Sequence, residues 1–320
     1  MPHPKFVAVA LLAALPGSAW ASPDTPPALN FTGPLVTPSV NTLPVGMINI
    51  EPYLISTQTR ASYDNAGNRH EQHSKLRQWQ VAVPMTMALT ASNLLQLTLN
   101  ASRTTGAGMH SDGMRMGDAS VRVQQRLLAP RQDGTGLVLA LSLAQRLSTA
   151  KYHQLSPNPL NGTGNGTRRT TVALGGQLLE RLSGDHAVRW RGQLAWSPAP
   201  GSVRVRGTSV YGTPDGFRGY ALVGQAWNAS LAAEYALNAR WVLVGEGIWN
   251  RSNAASIVDT RHGGAASERR LAPGQDFSLA PAVEYHFSST IGLIAGVQFT
   301  VGGRNNADYV APQVALNMVF

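Results

Sequence analysis

Cysteine is absent from the 320 residues. That excludes a disulfide framework, a thiolate metal site and a thiol nucleophile. Charge is sparse as well: Asp, Glu, Lys and Arg make up 13 % of the chain, and lysine is almost missing. The formal net charge of +9 could signal nucleic acid, but nucleic-acid binders gather their cations on one element. Here arginines stand singly along the chain, which points to a lumen and a surface and to no nucleic-acid partner. Also missing is any apolar run of about 20 residues, the length a spanning helix needs.

The one long apolar run is residues 6–15, after Lys5. Pro16 and Gly17 break it, and Ala19-Trp20-Ala21 offers a small-x-small cleavage pattern. Residues 1–21 are therefore expected to be a signal peptide, with the mature chain starting at Ser22. An exported chain without a helical anchor can reside in a membrane only as a closed barrel, because an open sheet leaves backbone groups unsatisfied in lipid.

Gly (32) and Pro (20) are plentiful and follow no repeat. Residues 22–45 are rich in Pro, Ser and Thr without periodicity, and are expected to form a periplasmic arm, linker or plug. Residues 46–320 then alternate apolar and polar side chains in about twelve segments: 47–57, 75–89, 94–103, 117–128, 136–147, 168–179, 186–196, 220–235, 241–250, 277–287, 291–301 and 308–320. Residues 203–210 either extend a neighbouring strand or form a hairpin of their own. Each segment sends successive side chains to opposite faces, as strands do.

The connections alternate in length. Short ones fall at 90–93, 130–134, 183–185, 237–238 and 288–289, and long ones at 58–74, 104–116, 149–167, 197–219 and 251–275. Transmembrane barrels have short periplasmic turns and longer extracellular loops. The expected fold is all-β: a transmembrane antiparallel up-and-down β-barrel of about 12 strands, with both ends on the periplasmic side. Periodicity alone does not decide whether the apolar face looks out to lipid or in to a soluble core.

Aromatic positions favour lipid. Trp241 and Trp249 share a face of one segment, about 20 Å apart along the membrane normal for a tilted strand. Phe277 and Phe287 bracket the next by about 25 Å. With Trp190 and Trp196 they are expected to form membrane-girdle aromatics. The last segment ends on Phe320, which resembles the closing strand that the outer-membrane barrel-assembly machinery reads in bacterial barrels.

The run Leu43-Pro44-Val45-Gly46-Met47-Ile48-Asn49-Ile50-Glu51-Pro52-Tyr53-Leu54 carries a more particular likeness. So does Met116-Gly117-Asp118 followed by Val121-Arg122-Val123-Gln124-Gln125-Arg126-Leu127. These stretches resemble the opening strand and the Gly-Asp turn of a bacterial outer-membrane barrel family. That family is associated with the meta-pathway of phenol degradation, and its members are described as transporters. The resemblance implies an outer-membrane barrel that passes small hydrophobic or aromatic compounds. It brings no catalytic residues and no cofactor.

Strand parity places Arg122, Arg126, Arg146, Arg189 and Arg191 on one lumen wall, and Glu51, Glu234, Glu246 and Glu284 on the other. Opposed walls of that kind would set a transverse field across a narrow pore. The same residues could instead pair locally and hold the barrel shut, and the sequence leaves both open. A barrel of about twelve strands lies between sizes that side chains fill and sizes that leave an aqueous channel.

Other chemistry is thin. His286, Glu284 and Ser278 share a lumen parity, but no flanking pattern marks a nucleophile. His70, His73 and His110 lie in long loops without a metal-site spacing, so no metal is expected. Gly162-Thr163-Gly164-Asn165-Gly166 lacks the lysine of a phosphate loop. The expected function is passive passage of small-molecule solutes through the outer membrane, with membrane lipid and the assembly machinery as partners. The alternative is a closed structural or surface-interaction barrel whose long extracellular loops bind a partner.

Overall fold

The computed structural model describes residues 29–72, 75–183, 186–261 and 267–320. The expected signal peptide, residues 22–28 of the arm, His73 and most of the turn at 183–185 lie outside them. Twelve strands form the barrel. They are β1 (Ile48–Ile50 and Tyr53–Tyr63, interrupted at Glu51-Pro52), β2 (Arg77–Ala88), β3 (Asn93–Gly106) and β4 (Ser120–Leu128). Next come β5 (Gly136–Arg146), β6 (Thr170–Arg181), β7 (Ala187–Ser197) and β8 (Ala226–Ala236). The last are β9 (Trp241–Ser252), β10 (Gly274–Leu279 and Ala282–His286, interrupted at Ala280-Pro281), β11 (Ile291–Arg304) and β12 (Ala307–Val319).

Every strand pairs antiparallel with the next, and β12 returns to β1 through Tyr53↔Ala315 and Asn49↔Val319. The barrel is closed and leaves no free edge, which removes the backbone problem that lipid poses. Phe320 seals the seam: its N–H donates to the Ile48 carbonyl (2.9 Å) and its own carbonyl accepts from Ile48 N–H (3.0 Å).

Side-chain size settles which face looks outward. On β5, Val138, Ala140 and Ser142 are buried while Leu137, Leu141 and Leu143 are exposed, Leu143 by 55 %. The same inversion puts Leu97, Leu174, Leu194, Leu231 and Leu243 outside. Each such leucine forgoes about 1.5–3 kcal/mol of burial if left in water. A continuous belt of them needs acyl chains as its solvent.

The two largest boundary differences from the sequence reading lie between β7 and β8 and at the end of β1. Of residues 203–210 the first four belong to a separate four-stranded sheet, in the order Ser202–Arg206, Arg218–Leu222, Ala255–Asp259, Ser267–Leu271. Tyr220 belongs to that sheet, so the barrel strand expected from 220 begins at Ala226. Ala221, Leu222 and Val223 form an apolar run across the junction, and periodicity cannot separate two half-buried strands in series. The first strand also outruns its expected end, pairing at its tip with Arg69–Glu71.

Candidate functional site in the barrel lumen

On β7 the odd residues point inward, so Arg189 and Arg191 lie on one face, two positions apart. The register sets Arg189 opposite Glu234 of β8. Arg189 grips Glu234 with two nitrogens, Nε at 2.6 Å from Oε2 and a terminal nitrogen on Oε1. Arg191 Nε approaches the same carboxylate at 2.9 Å. Glu234 is wholly buried. Two cations on one anion would be costly in a dry interior, but further carboxylates face the same space from β1, β9 and β10.

Those of β9 and β10 hold the N-terminal arm, whose described part from Leu29 onward runs through the lumen. Glu284 of β10 accepts the N–H of Thr32 (2.7 Å) and of Gly33 (3.1 Å). Glu246 of β9 accepts the N–H of Val36 (3.1 Å) and of Thr37 (2.8 Å). Successive amide N–H groups aimed at one point form an anion-binding concavity. Gly33 permits the first of them: its φ of +122° is one that side-chain-bearing residues rarely adopt, and Arg191 covers the position where a Cβ would stand.

The arginines of β4 take the carbonyl side. Arg122 donates to the Ser39 carbonyl at 3.3 Å, Gln124 Nε2 to the Val40 carbonyl at 3.2 Å, and Arg126 to Thr42 Oγ1 at 2.6 Å. The Arg189 guanidinium lies 4.0 Å from the centre of the Phe31 ring, a cation–π contact. Apolar contacts complete the seat. Leu35 packs on a lumenal stripe that includes Val242, Val244, Ile248 and Ile294. Val40 packs with Val138 and Ala140 and fills the space above Gly175.

Two of the nine charged residues assigned to the lumen by parity stand apart. Glu51 accepts the Tyr53 hydroxyl at 2.8 Å and makes no hydrogen bond to the described part of the arm. Arg146 is exposed at the long-loop end of β5, away from the other arginines. Phe31, Gly33 and Gly175 belong to the site and were not singled out in the sequence, and Gln124 and Tyr53 were named only as parts of longer stretches. Of these only Gly33, a glycine inside an aperiodic Pro/Thr segment, gave a local signal.

Cavities remain on both sides of the arm. One of about 520 Å³ lies against β1–β4 and includes Glu51, Tyr53, Gln96, Arg122 and Asn317 in its wall. Another of about 350 Å³ lies toward the long loops, with Gln193, Asn228, Asn250, Asp276 and Asn306 in its wall. There Asn228 donates to Asn250 (2.8 Å), and Asn250 and Asn306 donate to Asp276 (3.1 and 2.5 Å).

The aromatic residues cluster near both ends of the wall formed by β7 to β10. Trp241 stands 4.7 Å from Tyr285, which meets Phe287 at 5.0 Å. At the other end Trp249 pairs with Phe277 (6.5 Å) and Trp196 with Trp227 (6.2 Å). Trp190 is exposed on the outer face of β7.

His286 Nε2 lies 3.2 Å from Glu284 Oε2, but Ser278 Oγ accepts from Gln298 instead. Eight positions of strand, about 26 Å, separate Ser278 from His286, so they form no nucleophile–base pair. His70 contacts Asp64 at 2.9 Å and His110 contacts the Ser111 carbonyl at 3.2 Å. Among the described residues no three metal-ligating side chains come together.

No family model matches the chain, and no curated protein matches it. Solved structures do. An outer membrane channel from Pseudomonas putida F1 aligns with a TM-score of 0.64 at 16% identity, over 88% of this chain and 98% of that one. The transport unit of the autotransporter AIDA-I from Escherichia coli gives a TM-score of 0.47 at 10% identity, over 89% and 94% of the two chains. The translocator domain of the autotransporter NalP from Neisseria meningitidis gives 0.42 at 14%, over 87% and 90%. The first likeness, at that identity, is one of fold: a closed twelve-stranded antiparallel barrel of the outer-membrane type.

Proposed function

We propose that the chain is a bacterial outer-membrane channel for passive passage of small molecules, with residues 29–45 as a removable plug. One observation carries this reading. Among the described residues, 29–43 add no strand to the wall and make no backbone–backbone hydrogen bond with it. They are held by side chains: two glutamates, three donors on β4 and apolar contacts. A side-chain grip can be exchanged for water at a net cost of about 0.5–3 kcal/mol per bond, whereas a paired strand comes away only with its whole ladder.

With the arm withdrawn, the pore would be lined by Arg122, Arg126, Arg189 and Arg191 facing Glu51, Glu246 and Glu284. Val242, Val244, Ile248 and Ile294 would form an apolar track beside them. That mixture suits small hydrophobic or aromatic solutes, which can slide on the track and stack where Phe31 now stacks on Arg189. The aromatic clusters at the ends of the wall formed by β7 to β10 would mark the two membrane interfaces. Phe320, on the closing strand, would be the residue presented to the barrel-assembly machinery. The Pseudomonas channel, similar over almost its whole length, supports a channel role.

Conductance in planar bilayers and solute flux into liposomes test the reading, with the detergent-folded chain compared with a form lacking residues 29–45. The expected result is a low or flickering conductance that rises on deletion. A barrel that folds and stays silent in both forms would leave the alternative, a closed barrel acting through its long loops.

A further inference from the structure

The small sheet on the long-loop side has two unlike faces. Val203, Val205, Ala221 and Ile257 are buried with Phe217 on one face, packed against Tyr152 and Tyr211. Tyr152 lies in the loop joining β5 to β6. The other face carries Arg204, Arg206, Arg218 and Tyr220 beside a groove of about 900 Å³, which Ser202, Thr260, Asp215 and, from the β5–β6 loop, Gln154 and Ser156 also line. Register sets Arg206 directly opposite Arg218, and Arg204 opposite Tyr220.

Like charges directly opposite one another destabilise a sheet. One carboxylate, Asp215, shares the groove but forms no ion pair with any of the three arginines. All three arginines are exposed. Among the described residues none of their guanidinium groups has a hydrogen bond or an acidic partner. Other arginines of the same region are satisfied: Arg261 pairs with Asp259 and Arg269 donates to the Tyr211 carbonyl. The positive field reaches past the face. His153 is held below its ordinary value first by burial, then by Arg206 and Arg204.

Position narrows the partner. The chain leaves β7 at Ser197 and enters this sheet at Ser202, and it leaves the sheet at Leu222 to enter β8 at Ala226. Four or five residues span at most about 18 Å. The small sheet therefore begins one short linker beyond the barrel rim, within reach of the outer leaflet.

We infer that the Arg204, Arg206, Arg218 and Tyr220 face binds the phosphorylated saccharide headgroup of the outer-leaflet glycolipid. A phosphate between Arg206 and Arg218 turns their repulsion into two charge-assisted contacts, and guanidinium geometry matches phosphate oxygens. The Tyr220 ring offers the adjoining sugar a flat surface. The inference rests on the outer-membrane placement proposed above and does not depend on the pore being open.

The test uses the full detergent-folded chain, with folding checked by its heat-modifiable gel shift. Binding of a bisphosphorylated lipid A in mixed micelles is compared with its dephosphorylated form and with inorganic phosphate. The expected result is selective binding of the phosphorylated glycolipid, weakened at least about tenfold by the double variant Arg206→Gln, Arg218→Gln. Arg131→Gln, in a short turn at the opposite end, should bind unchanged. Bound glycolipid should also raise the His153 pKa by neutralising its two arginine neighbours. Equal binding of the dephosphorylated lipid, equal binding of inorganic phosphate, or a folded double variant with undiminished affinity would each overturn the inference. Because no step reads conductance, a silent pore and an empty glycolipid site are distinguishable results.

Discussion

Glu246 and Glu284 stand on neighbouring strands and hold one short peptide at two points four residues apart, each accepting two consecutive backbone N–H groups. The spacing of the two carboxylates along the wall thus sets the path of the arm.

The first expectation concerns these two acceptors. Glu246→Gln with Glu284→Gln keeps the shape but replaces charge-assisted bonds by neutral ones, which are about half as strong. The arm should leave its seat at least about tenfold more often. Limited proteolysis within residues 29–45 reads this directly, and cleavage at the wild-type rate would count against the grip.

Glycine 33 gives the second. With φ at +122° and Arg191 over the Cβ position, Gly33→Val should cost about 1–3 kcal/mol in the seated arm and nothing in the wall. Single-channel recording should show longer open intervals, while the heat-modifiable gel shift keeps its midpoint.

Glu234 should behave differently. Its removal strands Arg189 and Arg191 in the lumen, and breaking a buried ion pair from one side costs about 3–5 kcal/mol. Glu234→Ala should lower the temperature at which the folded band converts. Arg146→Gln, exposed at the end of β5, should leave that temperature unchanged.

Acid should act on the loops. Asn161 and Asn158, and then Arg115, hold the Asp112 carboxyl below its ordinary value. A depressed carboxyl contributes stability above its unfolded pKa of about 3.9 and loses it as pH falls through the lower folded value. The contact between the loop at 109–116 and the loop at 158–163 should therefore persist at pH 5 and open only below about pH 4. Hydrogen exchange across the two segments measures it, and Asp112→Asn should open them at every pH.

Much of the barrel could be read from residue order, because alternation and loop length each report a constraint that acts along the chain. Leu137, Leu141 and Leu143 declare a strand face whatever their neighbours are. Direction in space was harder: the Arg189–Glu234 pair depends on β7 and β8 meeting in one register, which the separate strands do not specify. Tyr220 was misplaced because the small sheet obeys the same period as the barrel. The Gly117-Asp118 turn had a recognisable pattern but a hidden task, since the Asp118 carboxylate accepts the N–H of Ala150 and of Asn165 from the loop joining β5 to β6. The arm's route was the least legible, because the side chains that accept from it or donate to it stand more than 80 positions away and its own sequence has no period.

The arm joins β1 through Pro44, Val45 and Gly46, with Met47 N–H turned back onto the Pro44 carbonyl. A stopper on so short a leash never diffuses away. Reseating is a first-order event, indifferent to how many copies the membrane holds. Any cargo that enters must outbid a resident rival whose local concentration is in the millimolar range, on the order of 1 mM.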